Sequence, residues 1–370
     1  MNFDQNLILK NVLIAPLDWG LGHATRCIPI IKSLQQAGYT VTVAAASKPL
    51  ALLQQEFPGI PAVTLFGYNV SYSTQKRFLA LKILWQSPKI LLTVWREHVW
   101  LKKLIRNENF SLVISDNRFG LYTSKIPCIF VTHQLLIKAG VGWLEWVIQK
   151  INYHFINKYT ACWVPDFEGE SSIAGELSHP VHLPRIPLKY LGPLSRFAVG
   201  SKAAIKYTWM VILSGPEPQR TILEQKILAL AADLQGQVLL VRGKPGDYGR
   251  ITAPQNCTVV NHLSTAEMQH AFAESAFIVS RCGYTTVMEV LAMQKKALLI
   301  PTPGQTEQEY LAVELFNKKW CYTCQQSDDL LYHIKQAQLF NYSLPVLTPS
   351  SLNRAVEDVK RLIAKNQALG

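Results

Sequence analysis

Short apolar runs punctuate this chain at regular intervals, with helical stretches between them. In the first half Asn11 to Pro16, Thr40 to Ala46, Pro61 to Phe66, Leu112 to Ser115, Cys128 to Thr132 and Ala161 to Val164 read as strands. Ala24 to Gly38 reads as a helix joining the first two, and Ala161 to Val164 closes the series. A second series opens at Trp209 to Leu213 and continues through Val238 to Val241, Thr258 to Val260, Phe277 to Val279 and Leu298 to Ile300. Such alternation predicts an α/β protein with two Rossmann-like, doubly wound parallel sheets, helices on both faces of each. Pro184 to Lys202 is rich in Pro and Gly and reads as a linker. The expected divisions are 1–195, 196–350 and 351–370. The last holds an amphipathic helix, Ser351 to Ala364, after the cap signal Thr348-Pro349-Ser350.

Composition narrows the partners. With 49% hydrophobic and 17% charged residues, the 370-residue chain is globular. Its 37 Lys+Arg against 25 Asp+Glu give +12, a bias toward anionic partners such as nucleotides or anionic lipid. The N-terminus lacks the basic start and cleavage site of a signal peptide, and no stretch reaches the roughly 20 apolar residues of a spanning helix, so a cytoplasmic location is expected. Seven scattered cysteines suit reduced core thiols. The Cys321/Cys324 pair lacks the turn of a redox dithiol and the second pair of a zinc site. Lys76 to Arg106, which Pro88 should divide into two short helices, and Leu135 to Tyr159 mix basic residues with Trp85, Trp95, Trp100, Trp143 and Trp146. Two readings stay open: peripheral contact with an anionic membrane, or helices covering a sheet with solvated lysines. No nucleic-acid module is present, and none is expected as a partner.

Polar residues gather where strands end, which is where parallel sheets bind ligands. The first turn, Leu17-Asp18-Trp19-Gly20-Leu21-Gly22-His23, places Gly20 and Gly22 for close backbone approach on the acceptor side. A dinucleotide fingerprint fails here, because Thr25 replaces the third glycine and no acid follows the second strand. His23 at a helix start is either a neutral general base or a capping residue. Asp116, after the fourth strand, supports that imidazole, acts as base itself, or merely starts a turn with Asn117. His133 is read as acceptor-side lining. In the second half Ser214 and Gly215 offer a hydroxyl and N–H groups to a phosphate, and Arg220 and Arg242 lie nearby. Ser280 to Ala312 forms strand, turn, helix and strand, with Arg281, Gly283, Thr285 and Thr286 after one strand and Gln305 to Glu309 after the next. A helix dipole with two polar sets suits a nucleotide diphosphate bearing a sugar.

That last stretch resembles the donor-site signature of the GT-B nucleotide-sugar glycosyltransferases, nearest to the MurG and diacylglycerol glycosyltransferase group. The resemblance implies two domains facing a cleft, with the terminal helix crossing back to the first. It implies that Ser280, Arg281 and Gly283 meet the diphosphate, that Thr286 and Glu289 take the ribose, and that Gln308 and Glu309 hold the sugar. Glu309 departs from the family's second Gln and accepts hydrogen bonds without donating them, which leaves the sugar open. By the same resemblance Leu263 marks the uracil turn, Arg196 is a linker arginine near the diphosphate, and His23 lies at the catalytic centre. The activity implied is inverting transfer of GlcNAc or another hexose from a UDP-sugar to an acceptor hydroxyl, on a sugar or a lipid-linked molecule. No cofactor is expected, and no Asp-x-Asp motif suggests a metal. Alternatives are a nucleotide-sugar 2-epimerase and a non-catalytic sugar-nucleotide-binding subunit. The transferase reading requires His23 and Glu289 to share one crevice.

Overall fold

The computed structural model describes residues 10–68, 79–197, 203–347 and 351–368, and for 79–87 the backbone alone. The Trp85 side chain and the cap signal Thr348 to Ser350 therefore lie outside the described residues.

The first lobe is a 7-stranded sheet, all parallel, in the order β3-β2-β1-β4-β5-β6-β7. Its strands are β1 (Asn11–Pro16), β2 (Thr40–Ala45), β3 (Ala62–Thr64), β4 (Leu112–Asp116), β5 (Cys128–Val131), β6 (Ala161–Val164) and β7 (Leu188–Tyr190). Helices α1 (Gly22–Gln36), α2 (Ser47–Glu56), α3 (Leu79–Asn107) and α4 (Gly142–Ile156) connect them. The central strands β4, β5 and β6 are buried along their whole length, which is why they are apolar runs rather than alternating ones.

The second lobe is a 6-stranded parallel sheet in the order β10-β9-β8-β11-β12-β13. These strands are β8 (Tyr207–Ile212), β9 (Val238–Val241), β10 (Cys257–Val260), β11 (Ser275–Arg281), β12 (Lys296–Ile300) and β13 (Tyr322–Thr323). Helices α5 (Gln219–Leu230), α6 (Thr265–Ala273), α7 (Tyr284–Ala292), α8 (Thr306–Asn317) and α9 (Leu330–Leu339) alternate with them. In both sheets the strand order reverses beside the first strand, between β1 and β4 and between β8 and β11. Crevices open at such reversals, at the carboxyl ends of the strands.

Helix α10 (Leu352–Gln367), the amphipathic helix expected there, returns to the first lobe as the resemblance implied. Trp163 of β6 donates its indole N–H to Asp358 Oδ2 at 3.0 Å. Val359 and Ile363 of α10 join Ile28, Ile31 and Leu34 of α1 and Met288 and Leu291 of α7 in one apolar cluster, so the core runs through both lobes.

Two expectations are corrected. The stretch from Pro184 is not all linker, because Leu188–Tyr190 pairs with β6 as a seventh, edge strand. Pro187 precedes it at the strand's start and offers its carbonyl to Cys162, where a missing N–H does no harm. Pro88 also fails to divide α3, which runs unbroken through it. A proline removes one backbone hydrogen bond, and a long helix can bend past that. All seven cysteines are free and buried.

Candidate active site between the lobes

The register of the first sheet puts Asp116 opposite Pro16, and the Leu17 N–H bonds to the Asp116 carbonyl at 3.0 Å. Asp116 thus sits at the foot of the turn that carries His23, and the side chains meet. His23 Nδ1 lies 3.2 Å from Asp116 Oδ2. Arg26, one helical turn beyond His23, donates from Nε to Asp116 Oδ2 at 2.8 Å and from Nη2 to Oδ1, forking the carboxylate. Asp116 is fully buried, while the His23 side chain keeps 15% of its exposure. Burial alone would push the Asp116 carboxyl up, but Arg26 and then His23 hold it down at about 2. Burial lowers the His23 pKa, Arg26 lowers it further, and Asp116 opposes both. The imidazole is therefore neutral at neutral pH.

A second buried group holds the turn itself. Glu97 of α3 pairs with Arg118 at 2.8 Å and accepts from the Tyr68 hydroxyl at 2.7 Å. Arg118 donates to the Pro16 carbonyl at 2.8 Å, and the Tyr68 N–H bonds Asp18 at 3.1 Å. The β1–α1 turn is thus anchored from below.

The second lobe meets this corner directly. Thr285 Oγ1 donates to the Gly22 carbonyl at 3.1 Å, joining the first turn of α7 to the peptide before His23. Glu289 stands one turn further along α7 and pairs with Arg196 at 2.7 Å. His23 and Glu289 therefore flank the same seam. At the start of α7 no side chain caps the helix, and the first N–H to find a carbonyl there is that of Val287, on Gly283. A Cβ on Gly283 would meet nothing, so the space before these N–H groups is open. A helix start with free donors and room in front is an anion site in waiting.

Known proteins resemble this chain in its second lobe and in its fold. Residues 221–367 match the model of the glycosyltransferase family 28 C-terminal domain. Over 297 residues the chain is 23% identical to the UDP-N-acetylglucosamine–N-acetylmuramyl-(pentapeptide) pyrophosphoryl-undecaprenol N-acetylglucosamine transferase of Legionella pneumophila (strain Corby), covering 77% of this chain and 75% of that one. The structure of Acinetobacter baumannii MurG matches with a TM-score of 0.56 at 16% identity, over 95% of this chain and 99% of that one. The spinosyn rhamnosyltransferase SpnG, complexed with thymidine diphosphate, matches at 0.62 and 13% identity over 96% of each chain. The chain carries a glycosyltransferase family 28 C-terminal domain and has the GT-B fold of such transferases.

The transferase places several expected residues otherwise than the sequence suggested. His133 does not line an open acceptor face. Its ring lies buried, taking an N–H from Arg26 at 3.2 Å, reaching Glu307 of α8 at 2.7 Å, and stacking on Tyr284 at 3.9 Å. Both ring nitrogens are used, Nδ1 by Arg26 within the first lobe and Nε2 by Glu307 across the seam. Arg281 is enclosed, donating to the carbonyls of Gln219 at 2.7 Å and Pro301 at 3.3 Å and to the Gln326 side chain. Only its Nε is unpaired, so it has one N–H left to give a phosphate. Burial lowers its pKa to about 10. Arg220 and Arg242 are spent on Glu224, at 2.9 and 2.8 Å, rather than free for a ligand.

Other positions keep to the expected ground. Ser214 and Gly215 are exposed on the loop after β8, and Gly215 has a φ of +99°, which favours glycine. Thr302 Oγ1, buried and unpaired, lies close beneath Gly215. Ser280 is buried, and its hydroxyl donates to the Arg281 carbonyl. Thr286 and Leu263 are half-buried, Leu263 packing against the main core. Gly20 takes a left-handed φ of +83°. Gln308 accepts from the Thr302 N–H at 2.8 Å, and Glu309 accepts from the Gly304 N–H at 3.3 Å. Glu309 also lines a cavity of about 340 Å³ with Gln219, Lys226 and Gln326. Sequence reading missed Arg26, Glu307 and Thr285 as partners. A residue at i+3 from His23 was the one available sign of Arg26, since that spacing shares a helix face.

Proposed function

We propose that this transferase moves a hexose, GlcNAc being one candidate, from a UDP-sugar to an acceptor hydroxyl with inversion at the anomeric carbon. The observation that carries the reading is the seam where the buried His23–Asp116 pair stands against the open start of α7. His23 takes the acceptor proton. The acceptor oxygen then attacks the anomeric carbon from the face opposite the nucleotide, and the C–O bond to UDP breaks. The charge on the departing diphosphate is met by the free N–H groups of α7 and by Ser214 and Gly215, with Glu289 on the ribose and Leu263 beside the base. This reading asks for no metal. Gln308 and Glu309 face the sugar from the first turn of α8.

The acceptor in this reading is lipid-linked and met at an anionic membrane on the cytoplasmic side. Support comes from α3 and α4. Trp95 is 61% exposed, Trp143 64% and Trp146 59%, with Leu91, Leu92, Val99 and Ile151 exposed on the same two helices. Lys150 sits 3.8 Å over the Trp146 ring. Exposed indoles beside lysines suit the headgroup layer. No helix among the described residues is long and apolar enough to cross a membrane.

The test is a thermal-shift screen of UDP-, GDP- and TDP-sugars, followed by transfer assays with His23→Ala. UDP-sugars should raise the melting point. His23→Ala should bind UDP unchanged while transfer falls by about 10³-fold. Transfer that persists within a few-fold rejects His23 as base, and an epimerised nucleotide sugar without acceptor would mark a 2-epimerase.

A further inference from the structure

Two neighbours make opposite demands on His23 Nδ1. Arg26 Nη2 lies 2.9 Å from it, and a guanidinium N–H only donates, so this contact needs a bare Nδ1 and a proton on Nε2. Asp116 Oδ2 lies 3.2 Å from the same nitrogen, and an ionised carboxylate only accepts, so that contact needs Nδ1–H. One nitrogen cannot satisfy both at once. The difference decides the chemistry. With the proton on Nε2 the ring is a donor and cannot take a proton from a hydroxyl. With the proton on Nδ1, Nε2 carries the lone pair that a base needs.

Arg26 is not free to drift. Its fork grips both Asp116 oxygens, and Nη1 donates to His133 Nδ1 at 3.2 Å. That leaves His133 Nε2–H for Glu307 Oε1 at 2.7 Å, so the His133 ring is in a single consistent tautomer. The last link comes from α8 in the other lobe, one residue before Gln308. A continuous line of contacts thus runs Glu307, His133, Arg26, Asp116, His23.

We propose that Arg26 is a positioning residue that selects the tautomer of His23, and that Glu307, acting through His133 from the sugar-side helix, fixes where the Arg26 guanidinium stands. The proposal rests on the reading of His23 as the base. In the lobe contact seen here, Arg26 holds Nδ1 as an acceptor and His23 rests in its non-basic form. When Nδ1 passes from Arg26 to Asp116, the part-exposed ring gives its Nε2 proton to solvent and takes one from solvent at Nδ1. The acceptor proton then moves from the hydroxyl to Nε2 while Nδ1–H stays hydrogen-bonded to the carboxylate. The charged and titratable groups around His23 are Arg26 on its own helix, Asp116 on β4, His133 after β5 and Glu307 on α8. Arg26 opposes the imidazolium that Asp116 favours.

The experiment reads the imidazole and needs no sugar nucleotide, so it stands or falls apart from the assigned activity. The full-length protein with ¹⁵N-labelled histidine is followed by side-chain NMR. In the wild type at neutral pH, His23 should show a bare Nδ1 and a protonated Nε2. In Arg26→Met the pattern should reverse, and the His23 titration should move up by about one pH unit. Glu307→Gln, which keeps size and loses charge, should raise the Nδ1–H fraction in the same direction. A wild-type Nδ1 already protonated overturns the proposal without any variant, even if Arg26→Met fails to fold. So does an Arg26→Met protein whose His23 tautomer is unchanged. A Glu307→Gln spectrum identical to wild type removes the link to the other lobe.

Discussion

Asp116 works with both oxygens occupied. A carboxylate forked by Arg26 and held at about 2 is a poor proton acceptor, which leaves His23 as the better base of the pair. Its lowered pKa means that Asp116 contributes stability at neutral pH, where it is ionised, and loses it as pH falls from the unfolded-state value toward 2. His23, with a pKa also lowered, is kept neutral by the fold, so acid that protonates the unfolded chain first acts in the same direction. Asp116→Asn should therefore flatten the loss of stability between neutral pH and about pH 3, removing about 1 kcal/mol of the pH-dependent part. Urea unfolding across that range measures it. The same variant should leave Arg26 buried without its counter-ion, so its stability at neutral pH should fall below that of the wild type.

At the scale of elements, the loops after β8 and β9 interlock. Gly243 has a φ of +68°, and a Cβ there would stand 2.3 Å from the Leu213 carbonyl oxygen. Backbone cannot yield as a side chain can. Gly243→Ala should cost about 2–4 kcal/mol and displace the neighbouring Ser214–Gly215 turn, so UDP affinity should fall along with the melting point. Isothermal titration and thermal unfolding on the same sample separate the two effects. Elements of this kind also show what the sequence made legible. The long buried strands were readable because β4, β5 and β6 carry little but apolar residues. Strand β7 was not, since Leu188, Lys189 and Tyr190 are all half-buried on an edge and sit among prolines. In the site, His23, Asp116 and His133 stood out as polar residues at strand ends, and Glu289 through the family resemblance. Arg26 and the link from His133 to Glu307 did not, because the partners lie 90 and 174 positions apart and only the folded sheets bring them together.

The whole molecule carries +12, and its three most exposed tryptophans among the described residues, Trp95, Trp143 and Trp146, sit on two helices of one lobe. Vesicles containing phosphatidylglycerol should bind the protein, and neutral phosphatidylcholine vesicles should not. Added salt should weaken binding, and Trp143→Ser with Trp146→Ser should weaken it by about tenfold or more, as read by co-sedimentation. Equal binding to both vesicle types would show that the exposed indoles serve another purpose. The chain also passes between the lobes twice, and the two passages touch: the Ser351 N–H bonds to the Leu191 carbonyl at 2.7 Å. Two crossings side by side act like the leaves of a door hinge. They favour swinging over sliding, and Glu307 and His133, one from each lobe, would part or meet in that swing. A donor entering or a spent nucleotide leaving would then reach the base through a rotation rather than through any contact with the nucleotide.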